Sequence, residues 1–272
     1  QAWLESLKSA FGETSVSDCI PAVEPLVRQH YSDNPKASDG YSRLGYYLLS
    51  KDQDLEAALR LFEMDAAEKR QTWFQQLRQA ECLAAMGKPK IAFAMVKRVY
   101  AAYPEAVNGH AAIAWHLRRN SELLPSPLTC ANRDLDTNRL APGYMLNVAE
   151  LAMMENVVSN AMQLVKKAYK ANPFLTDGYA RCAWQHFWPI KQYDKLIEWM
   201  EIDHAAGKLS PANCINLAHA YAAIGNIAKA LPLVKQAYKT NPSLTDGYAR
   251  CACQHFWPIK QYDKLIEWME ID

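Results

Sequence analysis

No stretch of this chain stays apolar for the roughly 20 residues that a membrane helix needs, so nothing in it reads as a membrane span. A charge surplus is missing too: 30 Lys and Arg stand against 29 Asp and Glu, a formal net charge of +1. That balance removes any electrostatic reason to seek nucleic acid or anionic lipid. There is no GxSxG, HExxH, GxxxxGK[ST] or GxGxxG, so the usual signatures of serine hydrolases, zinc peptidases and nucleotide-binding loops are lacking. No cofactor is implied. The seven cysteines are odd in number and form no CxxC pair, which argues against a zinc ribbon and against a disulfide framework. Free thiols point to a reducing, cytoplasmic compartment. Methionine is absent from the first position and no charged-then-apolar leader follows Gln1, so the expectation is a processed chain or a fragment. Half the residues are apolar and 22% are charged, the composition of a folded, soluble protein.

What the chain does contain is a repeat. Residues 165–203 and 234–272 differ at four of 39 positions and are offset by 69. The offset extends backwards through diverged sequence, aligning Val234 with Val165, Val96 and Val27, and Tyr238 with Tyr169, Tyr100 and Tyr31. It also aligns Pro242 with Pro173, Pro104 and Pro35, and Gly247 with Gly178, Gly109 and Gly40. A fixed period of this length decides the architecture, because each unit must bury its apolar face against its neighbours.

Within a unit the apolar residues recur at helical spacing, as in Ala161, Leu164, Val165 and Ala168, and again in Ala230, Leu233, Val234 and Ala237. Ser210 before Pro211 reads as a helix N-cap with proline at the first helical position. Gly225 divides two stripes, and Asn241-Pro242 ends the second helix because proline lacks the amide donor. Each 69-residue unit thus holds two helical hairpins. Cys182 and Cys251 share their position with Ile113 and Leu44, which marks a small apolar packing site.

Counted from Pro211, the residues Leu217, Ala218, Tyr221, Gly225, Ala230, Val234, Ala237 and Pro242 fall on the small, aromatic and proline positions of a 34-residue unit. Counted from Thr245, Tyr248, Cys251, Ala252 and a Tyr262-Asp263-Lys264-Leu265 segment displaced by one residue follow the same pattern. On these positions the chain resembles the tetratricopeptide repeat family. The resemblance implies an all-α, right-handed α-α superhelix, a solenoid of about eight hairpins with a 69-residue double-hairpin period. A single array over 1–272 is expected, with units near 4–37, 38–72, 73–106, 107–141, 142–175, 176–210, 211–244 and 245–272. Residues 1–37 match the pattern poorly, and Pro125 and Pro127 predict a broken or shortened helix near 121–135.

In the resembled pattern the first helices line a concave groove that binds extended ligands, and positions 2, 5, 6, 9, 12 and 13 of each hairpin face it. Position 6 reads Arg43, Arg78, Ala112, Asn147, Arg181, Asn216 and Arg250 from the second hairpin onward. Arginine pairs with carboxylates through a planar fork, and asparagine both donates and accepts toward a peptide backbone. Position 9 places Tyr46, Trp115 and Trp184 at every second hairpin, where an aromatic anchors an apolar group or else packs against a neighbouring helix. Trp184 and Phe174 become Cys253 and Ser243 in the last copy, as expected of residues that fill a niche in a following hairpin. The family's chaperone-binding carboxylate clamp is not matched in phase. No metal site is expected, since Cys253 leaves the helix face shared by Cys251 and His255.

These readings lead to a non-catalytic scaffold that binds an extended peptide or protein segment in its groove, with no nucleic-acid partner and no membrane insertion. One alternative is the substrate-recruiting arm of a larger enzyme, such as a glycosyltransferase carrying similar repeats. The other is an end-to-end stacking protein, because Leu265, Ile266, Trp268, Met269 and Ile271 repeat an interior helix unchanged and leave an uncapped C-terminal hairpin for self-association.

Overall fold

A computed structural model describes residues 16–50, 54–118 and 126–271, and every described secondary-structure element is helical. The chain divides into two compact units, Gln1–Ala141 and Pro142–Asp272, with the boundary at the start of a hairpin. The first unit contains α1 (Val16–Asp33), α2 (Gly40–Ser50), α3 (Leu55–Ala67), α4 (Trp73–Ala85), α5 (Pro89–Ala102), α6 (Gly109–Leu117) and α7 (Pro127–Asp136). The second contains α8 (Pro142–Met154), α9 (Val158–Ala171), α10 (Gly178–Phe187), α11 (Tyr193–Ala205), α12 (Pro211–Ala223), α13 (Ile227–Thr240), α14 (Gly247–Phe256) and α15 (Tyr262–Met269). Among the described residues seven hairpins pair α2 with α3 and so on to α14 with α15, and the start of the hairpin expected near 4–37 lies outside them. No described helix is long and apolar enough to cross a membrane.

The helix ends follow the local chemistry. Ser210 Oγ accepts from the amide of Asn213 at 3.4 Å with Pro211 in the first turn, and Gly225 leaves α12 at φ +80°. Pro127 does not break its helix. It occupies the first turn of α7, where proline has no intrahelical bond to lose, and Ser126 caps it. The helix is short as expected, 10 residues against 13 in α3 and α11. Residues 119–125, and with them Pro125, lie outside the described residues.

Hairpins meet in two alternating ways, which is why the sequence period is two hairpins long. The first helices pack on each other where α4 meets α6, α8 meets α10 and α12 meets α14. Where the α2–α3 hairpin meets α4, and where the α10–α11 hairpin meets α12, the preceding second helix makes the main contact instead.

A buried polar key fixes the first helices α2, α6 and α10. Tyr169 Oη donates to Asp203 Oδ1 at 2.5 Å and accepts from the amide of Gly178 at 2.6 Å, while Asp203 Oδ2 accepts from the amide of Ala180 at 2.8 Å. The fully buried carboxylate thus satisfies the otherwise unpaired first-turn donors of α10 from outside the helix. Burial, reinforced by Asp203, pushes the Tyr169 phenol well above its ordinary pKa. Tyr100, Asp134 and Gly109 repeat the arrangement, with Tyr100 Oη to Asp134 Oδ1 at 2.7 Å, and Tyr31, Asp65 and Gly40 do so again. Gly178 is required by proximity: a Cβ there would lie 2.8 Å from Val165 Cγ1 and 2.9 Å from Tyr169 Oη.

The residue before each such glycine sits in the left-handed region, at φ 61° for Asp39, 67° for Asn108 and 59° for Asp177, where Asp and Asn are tolerated. Its side chain reaches the next loop: Asp177 Oδ1 accepts from Ser210 N at 2.7 Å, and Asn108 Oδ1 from Ala141 N at 2.7 Å. A cation closes the staple by donating back to the preceding loop, Arg70 Nη1 to Ala37 O at 2.9 Å and Lys208 Nζ to Leu175 O at 3.2 Å. Arg70, Arg139 and Lys208 also lie 4.2, 4.4 and 4.4 Å from the ring centres of Tyr31, Tyr100 and Tyr169.

Candidate ligand-binding site

The position-6 row is assembled from the first helices, and most of its members are engaged within the protein. In the first unit Arg78 on α4 is buried, ion-paired to Glu81 one turn later, and its guanidinium carbon lies 5.1 Å from the Phe74 ring centre. Glu81 also meets His116 Nε2 of α6 at 2.9 Å. Burial alone would raise the Glu81 pKa, but Arg78 and His116 outweigh it and hold the carboxyl below its ordinary value. Ala112, at position 6 of α6, is small and buried, which leaves room for this triad.

In the second unit the guanidinium comes from the opposite side of the junction. Arg181 on α10 pairs with Glu150 on α8, which is 2% exposed, and its Nη2 donates to Asn147 Oδ1 at 3.0 Å. At the next junction of this type Arg250 on α14 donates in the same way to Asn216 Oδ1 of α12 at 3.0 Å, and Asn216 Nδ2 donates to Asn213 Oδ1 at 2.8 Å. His219 stands there in the register of Glu150. Burial first, and then the charge of Arg250, pull its pKa down to about 4, so the ring is neutral. Arg43 on α2 and Arg250 are exposed, and neither takes part in an ion pair among the described residues.

Two of the position-9 aromatics, Tyr46 and Trp184, pack between hairpins. Tyr46, 39% exposed, meets Phe74 of α4 edge-on with ring centres 6.5 Å apart. Trp184 stacks on Trp188 at 4.4 Å and 15°, and Trp188 in turn lies 4.5 Å from the His219 ring of the following hairpin. Trp115 is covered by the Arg118 guanidinium at 4.1 Å. Trp184 thus has the neighbour that its replacement by Cys253 implied. Phe174 does not: its side chain is 93% exposed, so the Phe174 to Ser243 change reflects solvent rather than a filled niche.

Glu81 and Glu150 stand at position 9 of the repeat pattern but were not among the expected ligand-binding residues, and His116 was not picked out at all. A signal was present, since Glu81 and Glu150 alternate at position 9 with Tyr46, Trp115 and Trp184, three residues after Arg78 and Asn147. At the C-terminal hairpin Leu265 and Trp268 are buried rather than presented to a neighbour, Trp268 meeting Phe256 edge-on at 5.3 Å. Ile266 and Met269 are exposed, whereas their counterparts Ile197 and Met200 are buried. Cys182 and Cys251 are fully buried like Ile113 and Leu44, and Cys253 is exposed. No set of three His, Cys, Asp or Glu side chains is grouped to hold a metal among the described residues. No family model matches the chain, and no curated protein matches it.

Proposed function

We propose that this chain is a non-catalytic interaction scaffold of the tetratricopeptide type, its hairpins forming consecutive turns of a right-handed α-α superhelix. An extended peptide or protein segment lies along the polar face of the first helices. What supports the reading most is the recurrence of Arg and Asn at one position of successive first helices, with Arg43 and Arg250 still exposed after the internal pairs are made. An exposed guanidinium suits a ligand that offers carboxylate or carbonyl acceptors. Selection of random displayed peptides against the full chain tests this. Enrichment of sequences whose binding is competed by the free peptide is the expected result, and no enrichment would sink the reading.

End-to-end association is a second reading, favoured by the exposed Ile266 and Met269 on α15. Light scattering over a concentration series checks it, and a particle that stays monomeric at high concentration excludes it.

A further inference from the structure

The junction led by a second helix occurs twice, where the α2–α3 hairpin meets α4 and where the α10–α11 hairpin meets α12, and the two differ in chemistry. Beside the latter, the second helices α11 and α13 flank a cleft of about 560 Å³ that Tyr221 of α12 also lines. No member of the position-6 row reaches it.

The wall of this cleft carries opposite charges that do not meet. Tyr221 Oη donates to Glu201 Oε1 of α11 at 2.8 Å and accepts from Lys229 Nζ of α13 at 3.4 Å, while Lys229 and Glu201 form no ion pair with each other. His204 Nδ1 lies 3.2 Å from Glu201 Oε2 and steadies the carboxylate from its other oxygen. Burial first, and then Glu201, hold the Tyr221 phenol above its ordinary pKa, so it stays protonated and keeps both contacts. A carboxylate accepts more than two hydrogen bonds and an ammonium donates more than one, so both charges keep capacity toward the cleft. Pro232 lies inside α13 and has no amide to give to the Ala228 carbonyl, and both residues line the cleft. A backbone acceptor there is thus without its usual helical donor. Pro232 and Leu233 add an apolar surface.

The packing itself does not require these groups. At the junction of α3, α4 and α5, Glu63 stands in the register of Glu201, but Ala66, Leu83, Ile91 and Ala94 stand in the registers of His204, Tyr221, Lys229 and Pro232. The same hairpins meet there through an apolar set.

We propose that the cleft binds a small zwitterion, an α-amino acid with an apolar side chain. The ammonium of the ligand pairs with Glu201 and the Ala228 carbonyl, its carboxylate pairs with Lys229, and its side chain lies on Pro232 and Leu233. Opposite charges held apart by one tyrosine hydroxyl are complementary to such a head group, whereas a simple anion or cation satisfies only one of them. The site is built on second helices and stands apart from the peptide-binding reading.

The test is an NMR titration of the full chain with L-leucine, isocaproate, which lacks the ammonium, and isoamylamine, which lacks the carboxylate, following the Tyr221 and His204 ring signals. L-leucine is expected to give saturable shifts of both, and each analogue to bind about tenfold more weakly or not at all, the scale of a lost charge-assisted hydrogen bond. Lys229→Ile installs the residue type of Ile91 at an exposed position, and is expected to weaken leucine binding about tenfold or more at an unchanged melting temperature. Glu201→Gln, which keeps an acceptor for Tyr221, is expected to weaken it similarly. No saturable shift with L-leucine would overturn the proposal, as would an analogue that binds as tightly as leucine. Unchanged leucine affinity in Lys229→Ile would overturn the site. Binding of a display-selected peptide is expected to be the same in Lys229→Ile and the unaltered chain, and its loss would contradict the separation of the two sites.

Discussion

Arg181 shows what an arginine of the position-6 row does inside the protein. By position it belongs to the proposed ligand-binding set, and a solvated arginine is lost there at little cost to stability. Its contact with Glu150, 2% exposed, reverses that expectation: Arg181→Ala leaves a buried carboxylate unpaired. The variant is expected to lose about 1–3 kcal/mol by chemical denaturation, with part restored by adding Glu150→Gln. Glu81 makes a related case with a pH signature. Its folded pKa lies below the ordinary glutamate value of about 4.3, so the stability it contributes is complete above that pH and is lost as pH falls through the folded pKa. Glu81→Gln should therefore flatten the acid limb of a melting-temperature profile recorded against pH, and an unchanged slope would discount the triad with Arg78 and His116.

At the scale of the element, the columns that reveal the period turn out to be one contact seen four times over. A Cβ on Gly40, Gly109, Gly178 or Gly247 would strike the valine of the preceding helix and the tyrosine four residues after that valine, and these are the residues that align at intervals of 69. That much was legible, because a steric requirement repeats with the fold and admits few substitutes. The partner of the tyrosine was not: Asp65, Asp134 and Asp203 lie 34 residues further on, and only the packing of the next hairpin brings them back. In the fourth copy the corresponding position is Asp272, outside the described residues. The alternation of junction types was equally hidden, since both types draw on the same apolar stripes. Tyr169→Phe removes the hydroxyl shared by Gly178 and Asp203 and is expected to cost about 1–3 kcal/mol. Gly178→Ala is expected to cost about 1–3 kcal/mol by overpacking against Val165 and Tyr169. Urea midpoints measure both, and a neutral Tyr169→Phe would show that the key is dispensable.

For the whole molecule, repetition of a frame makes the exceptions informative. All-helical hairpins could be read from the 69-residue period and from the proline and glycine breaks. The proposed ligand-facing residues could be only partly read, because an Arg of the position-6 row serves as an internal partner at one junction and stands exposed at another. Arg43 and Arg250 are the members of the row that remain exposed without an ion pair, so their loss separates binding from folding in a way that Arg78 or Arg181 does not. The most direct measurement of the peptide-binding claim is therefore calorimetric: the affinity of a display-selected peptide for the full chain and for the Arg43→Ala, Arg250→Ala double variant. The expected result is a loss of about tenfold or more at an unchanged melting temperature. Equal affinity for the two proteins would contradict the assignment of the first helices as the binding surface.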